Sequence, residues 1–341
     1  MQENSDRVSG SPAKMSQRKR KSIFRPIIIS LISALSLLGI FFILILIFAR
    51  PSIDSPLHLY NPVKEKKVDQ GSPRNIPTVA ELYLELMKTV LTRYELGDTY
   101  KPLIEPQSRV GKIITPLLGH VPIYRRIPFD PISRENGWDT PENAETMIGL
   151  KRLDNLQYCI EQVISQSVPG DLIECGAWRG GACIFMRAVL KTYGDAGRKV
   201  WVADSFEGLP KPDKDKRRED AQLWQGGEMA VTLSQVKRNF DRFGLLDDQV
   251  CFLKGFFIDT LPDAPIKQLA VLRLDCDMYD SVTQSLEYLY DKVAIGGFVI
   301  IDDYGALPPA RSAVDDYRKA HGIEDKVLKI DWTGVYWQKS R

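Results

Sequence analysis

The 341-residue chain is poor in cysteine and histidine, with five of the first and three of the second. None of the cysteines falls in a CxxC pair, which rules out a thiolate zinc site and a dense disulfide scaffold. Cys159, Cys175, Cys183, Cys251 and Cys276 all sit in apolar surroundings and read as small core residues. His58, His120 and His321 neighbour no acidic cluster in sequence. A general base is therefore expected to be an aspartate. A GxGxxG turn is missing where a dinucleotide would need one, and Ser205 stands in no GxSxG elbow, so dehydrogenase and serine hydrolase chemistry are both disfavoured. There is no Asn-x-Ser/Thr sequon. A basic excess is also lacking: 46 Lys+Arg stand against 44 Asp+Glu, and nucleic acid is not an expected partner.

What is present is uneven along the chain. Residues 1–26 carry seven basic side chains against Glu3 and Asp6. Residues 27–49 have no charge and no proline. As a helix this stretch would be roughly 34 Å long, enough to cross a bilayer core. It is longer than a signal-peptide core and has no small-residue cleavage site after it. The cluster Arg18-Lys19-Arg20-Lys21 with Arg25 then predicts a cytosolic N-terminus, with residues 51–341 across the membrane. The expectation is a single-pass type II protein anchored in the lipid bilayer, resident in Golgi or ER with a luminal catalytic domain, or periplasm-facing in a bacterium. Residues 50–76, with Pro51, Pro56, Pro62 and Pro73, read as a stem or linker.

From residue 77 to the C-terminus the pattern is that of one enzyme domain. Val79, Leu82, Leu86, Val90 and Tyr94 recur at helical spacing. Residues 95–139 read as irregular, and Thr140-Pro141 reads as the start of a helix carrying Met147, Leu150, Leu153, Ile160 and Ile164. After Gly170 short apolar runs alternate with amphipathic stretches. That alternation predicts an α/β fold with a doubly wound, mostly parallel sheet and an N-terminal helical extension. Ligands in such sheets bind at the carboxyl ends of the strands.

Three features occupy those ends. In the turn Glu174-Cys175-Gly176-Ala177-Trp178-Arg179-Gly180-Gly181, an acid closes a strand and glycines open a helix. Asp204 closes the next strand, where a carboxylate can accept ribose hydroxyls. Together they point to an adenosine-containing ligand. Asp275-Cys276-Asp277 and Asp302-Asp303 close two further strands. If those strands are neighbours, their carboxylates converge, and a hard divalent cation would relieve the repulsion. Residues 207–230 form a long connection that reads as a lid.

Thr146-Met147-Ile148-Gly149, the Ile173–Ala182 turn, Val202–Pro210, Leu253–Phe257, Arg273–Tyr279 and Val299–Tyr304 occur in that order. This set resembles the macrocin O-methyltransferase (TylF-type) family over about residues 78–338. The resemblance implies a seven-stranded, Rossmann-like class I methyltransferase that uses S-adenosylmethionine and Mg²⁺ (or Mn²⁺). It implies that Glu174 and Gly176 hold the methionine end of the cofactor and that Asp204 takes the ribose. Ser205 and Phe206 would line the adenosine pocket, with Met147 and Phe257 close by and Ala177, Trp178, Arg179 and Gly180 in the cofactor turn. Asp275, Asp302 and Asp303 match metal ligands, and Asp275 also matches the general base.

The anchor and stem are foreign to the antibiotic-modifying members of that family. The activity expected is therefore O-methylation of a sugar hydroxyl on a glycan of the secretory pathway, by a possible homo-oligomer. Three alternatives stand beside it. One is methylation of a small-molecule natural product. Another is a Golgi glycosyltransferase using Asp275-Cys276-Asp277 as a D-x-D string. The last is a non-catalytic, membrane-tethered binding protein.

Overall fold

Strands β3 (Asp171–Cys175), β4 (Val200–Asp204), β5 (Val250–Lys254), β6 (Leu269–Leu274) and β7 (Val293–Ile301) pair parallel in the order β5-β4-β3-β6-β7. The computed structural model describes residues 77–94, 99–102, 124–139, 141, 143–212, 220 and 229–341. The basic tail 1–26, the stretch 27–49, the stem 50–76, Thr140 and most of the expected lid lie outside the described residues. In β6 all six residues are buried, and β3 and β4 are buried but for one end residue each. Strands buried along nearly their whole length belong to a sheet covered on both faces. One face carries α1 (Val79–Thr92), α3 (Leu150–Ser165), α4 (Gly181–Thr192) and α5 (Leu233–Arg242). The other carries the short α6 (Phe257–Thr260), α7 (Tyr279–Leu289) and α8 (Pro308–Ala320).

Local chemistry accounts for the helix ends. Thr78 and Glu81 form a capping box at α1: Glu81 N–H donates to Thr78 Oγ1 at 3.2 Å, and Thr78 N–H donates to Glu81 Oε2 at 2.6 Å. Pro308 and Pro309 open α8, where a missing N–H does no harm. The helix expected from Pro141 begins only at Leu150. Residues 143–149 serve long-range contacts instead. Glu145 N–H donates to Leu91 O at 3.0 Å, and Glu145 O accepts from Gly181 N–H at 3.0 Å. These bonds tie α1 to the start of α4 and could not form if the segment were helical. The stretch expected to be irregular contains an antiparallel pair, β1 (Thr99–Pro102) with β2 (Tyr124–Ile127), and the short α2 (Pro131–Asn136).

Two expectations are corrected. The seven-stranded sheet is mixed: β9 (Val335–Gln338) runs antiparallel to β7, and β8 (Leu328–Lys329) antiparallel to β9. Residues 330–334 are too few for a crossover, so β8 and β9 must form a hairpin. The other correction concerns the membrane. Among the described residues no helix is long and apolar enough to cross one. The single transmembrane helix is thus not part of the described fold, and residues 27–49, on which it rested, lie outside it.

Candidate active site

The strand order reverses between β3 and β6, because the chain goes from β3 outward to β4 and β5 and then returns to the other side. A cleft of about 700 Å³ opens there, at the carboxyl ends. It is lined by Met147, Glu174, Gly176, Ala177, Trp178, Asp204, Ser205, Phe257, Asp275, Asp302 and Asp303. Most residues singled out in the sequence therefore meet in one place. Three do not line it. Phe206 packs against Phe252 in the core, with ring centroids 6.4 Å apart. Gly180 is the N-terminal neighbour of α4, against Val236 and Phe240. Arg179 lines a separate cavity of about 430 Å³ and donates to Ala144 O at 2.8 Å.

The first wall of the cleft is the turn after β3. Gly176 has φ +89°, and a Cβ there would collide with the carbonyl oxygen of Asp275. Only glycine lets the β3 and β6 ends lie this close. Trp178 holds φ +47° without being glycine. Asp204 fixes this strained turn. Its Oδ2 accepts from the N–H groups of Ala177 (2.8 Å) and Trp178 (3.1 Å), and its Oδ1 from Phe206 N–H (2.7 Å). Burial pushes the Asp204 carboxyl up from its ordinary range, against those three amides. Asp204 thus orders the turn first, whatever ligand it also meets.

Behind the turn lies a chain of alternating charge that the sequence reading missed. Arg273, on β6 and register partner of Glu174, is 1% exposed. Its Nη1 contacts Glu174 Oε1 and donates to Asp275 Oδ2 at 2.8 Å, while its Nη2 contacts Asp302 Oδ1. The second oxygen of Asp302 contacts Arg152 Nη1, and Arg152 Nε lies 3.1 Å from Asp331 Oδ2. A buried charge without partners is too costly to keep, so an arginine inside the run Leu269–Leu274 was itself a signal. Glu174 also accepts from Cys183 Sγ at 2.9 Å. Burial pushes its carboxyl up to about 7, with Arg273 opposing.

The acids divide into two groups. Asp302 is 3% exposed and held by the two guanidiniums. Asp275, Asp277 and Asp303 instead present carboxylate oxygens within 4.8 Å of one another. Asp277 reaches this position through a left-handed backbone, φ +60°. Burial and the Asp275 charge push Asp277 up to about 7. Asp303 is raised well above the carboxylate range by burial and by Asp275, Asp277 and Asp302. Its buried Oδ2 has no hydrogen-bond partner. Three converging carboxyls, one with an orphaned oxygen, fit a hard divalent cation bound through oxygen.

The family model for macrocin-O-methyltransferase (TylF) matches residues 80–339. A tetracenomycin-pathway 4'-O-methyltransferase of Streptomyces olivaceus, whose name gives its substrate as a dimethoxy-rhamnosyl tetracenomycin, is 51% identical over 261 residues, 76% of this chain and 92% of that protein. The mycinamicin III 3''-O-methyltransferase of Micromonospora griseorubida is 44% identical over 268 residues, 77% of this chain and 98% of that protein. The solved structure of the O-methyltransferase NovP is 44% identical, with a TM-score of 0.67 over 77% of this chain and all of that one. These organisms are bacteria, without Golgi or ER. With no membrane-crossing helix among the described residues, this overturns the expectation of a type II Golgi or ER protein with a luminal domain. The relatives give no support to a secretory-pathway glycan as acceptor.

Proposed function

The chain belongs to the macrocin-O-methyltransferase (TylF) family and is an S-adenosylmethionine-dependent O-methyltransferase; on that premise we propose that it methylates a sugar hydroxyl of a small-molecule glycoside, with Asp275 as general base. The observation that carries this reading is the meeting of three acids, Asp275, Asp277 and Asp303, with the Glu174–Asp204 turn in one cleft. The acceptor class is supported by the printed names of the relatives, which describe methylation on rhamnosyl-tetracenomycin and on mycinamicin III.

S-adenosylmethionine supplies an electrophilic methyl group, and a divalent cation, Mg²⁺ or Mn²⁺, supplies a Lewis acid that makes a sugar hydroxyl easier to deprotonate. The chain's own residues do the rest. Gly176 lets the β3 and β6 ends, with Glu174 and Asp275, lie side by side in the cleft. Glu174, held by Arg273, offers a carboxylate to the ammonium of the methionine end. Asp204 keeps the turn in shape, and Ser205 and Phe257 line the adenosine end. Asp275 has one oxygen fixed by Arg273, which leaves Oδ1 to accept the hydroxyl proton. Asp275, Asp277 and Asp303 would hold the cation. Asp302, expected among the ligands, supports them through its arginine contacts. Much of the rate then comes from placing acceptor and methyl group in line.

Family membership sets aside the glycosyltransferase and silent-binder alternatives. The test is transfer of labelled methyl from S-adenosylmethionine to a panel of glycosides, with Mg²⁺ and with EDTA. Label is expected in a glycoside only with metal present. Asp275→Asn should lower kcat by about 10²–10⁴-fold while cofactor binding persists. Equal label in EDTA would remove the cation from the reading. Cofactor binding with no glycoside labelled would remove the sugar acceptor.

A further inference from the structure

We propose that the indole of Trp332 is the seat of the acceptor's sugar ring; this rests on the sugar O-methyltransferase reading above. Trp332 lines the cleft and is 43% exposed. Trp201 and Trp337 are 5% and 0% exposed, while Trp138, also exposed, lies outside the cleft. What sets Trp332 apart is its place in the cleft, where a half-open indole offers a bound ring an apolar plane to cover.

The ring is fixed rather than free. Its Nε1–H donates to Asn136 O at 2.8 Å. The backbone around it is clasped to the acid-bearing loop after β7. Gly305 N–H donates to Thr333 O at 2.8 Å, and Thr333 Oγ1 donates to Asp302 O at 3.0 Å. Gly305 lies so close to the Trp332 carbonyl that a Cβ would not fit. The indole therefore keeps a set relation to Asp303, two residues before Gly305.

Sheet order places it on the acceptor side. Asp204 closes β4 and Phe257 follows β5, toward one edge of the sheet. Trp332 precedes β9, beyond β7 on the other side. The acids at the ends of β6 and β7 lie between. A pyranose has a face of C–H groups and a rim of hydroxyls. Its apolar face suits an aromatic plane, and its rim then meets the carboxylates. An acceptor without such a ring has nothing to gain from Trp332.

The test uses the full chain, labelled S-adenosylmethionine and a panel of methyl glycosides of hexoses and 6-deoxyhexoses. Trp332→Ala should raise acceptor KM about tenfold, and Trp332→Phe should restore most of it. Turnover at saturation should stay within about twofold, and cofactor affinity by calorimetry should not move. An unchanged KM in Trp332→Ala overturns the platform alone. So does a loss of cofactor affinity alongside KM, since that marks a structural role. If the wild-type chain binds cofactor but labels no glycoside, the sugar reading fails and the platform goes with it.

Discussion

Nη1 of Arg273 lies 2.8 Å from Oδ2 of Asp275, two residues further along the same strand end. The same nitrogen contacts Glu174, and Nη2 contacts Asp302. One guanidinium thus joins Glu174, proposed to meet the cofactor, to Asp275, the proposed proton acceptor. Arg273→Gln would leave the buried Glu174 and Asp302 and the part-exposed Asp275 without their shared cation. The expected loss is roughly 3–5 kcal/mol in urea unfolding. Arg273→Lys should recover only part of this, because an ammonium lacks the planar fork that reaches three partners. A Gln variant with a wild-type urea midpoint would show that the network is ornamental.

Asp204 accepts three backbone N–H groups from two segments of the cleft. Asp204→Ala removes all three bonds and should loosen the Ala177–Trp178 turn. Cofactor affinity is expected to fall about 10-fold or more by equilibrium binding. Unchanged affinity would mean that the turn holds its shape without the carboxylate.

Gly176→Ala places a methyl group against the Asp275 carbonyl at a positive φ. The cost should be at least about 2 kcal/mol, or roughly 4–8 °C in Tm. Cofactor binding should weaken as well, because the clash pushes the β3 and β6 ends apart. Thermal unfolding and a cofactor titration of the same sample check both effects.

The acid cluster makes a pH prediction. Asp277 is pushed up to about 7, and Asp303 is raised well above the carboxylate range. Both shifts are upward, so protons occupy the pair at low pH and leave as pH rises. A cation competes with those protons. Apparent Mn²⁺ affinity should therefore rise with pH through about 7, with about one proton released per cation bound. Calorimetry in two buffers of different ionisation enthalpy counts that proton. An affinity that stays flat across this range would sink the assignment of Asp277 and Asp303 as ligands.

The central strands were legible because each is a short, mostly apolar run between turn signals, as in Leu172–Cys175 and Leu269–Leu274, each broken by a single charged residue. The β1–β2 pair was not, since two four-residue strands more than 20 residues apart carry no periodic signal. Thr140-Pro141 looked like a helix start because that signal is local. The bonds of Glu145 to Leu91 and Gly181 are not local, and they won. The direction of β9 is set by the brevity of residues 330–334, too short for a parallel crossover. Asp302 and Asp303 are adjacent, and sequence alone could not say which one faces the arginines. Arg152 and Asp331, nearly 180 residues apart, are what decide it.

The run Glu174, Arg273, Asp302, Arg152, Asp331 alternates in sign from β3 to the hairpin before β9. No member can change charge without stranding a neighbour. A lineage carrying this chain would see these five positions drift together or not at all. The mouth of the cleft is under no such tie. New acceptors could then be acquired by altering the rim while the inherited charge lattice stays untouched.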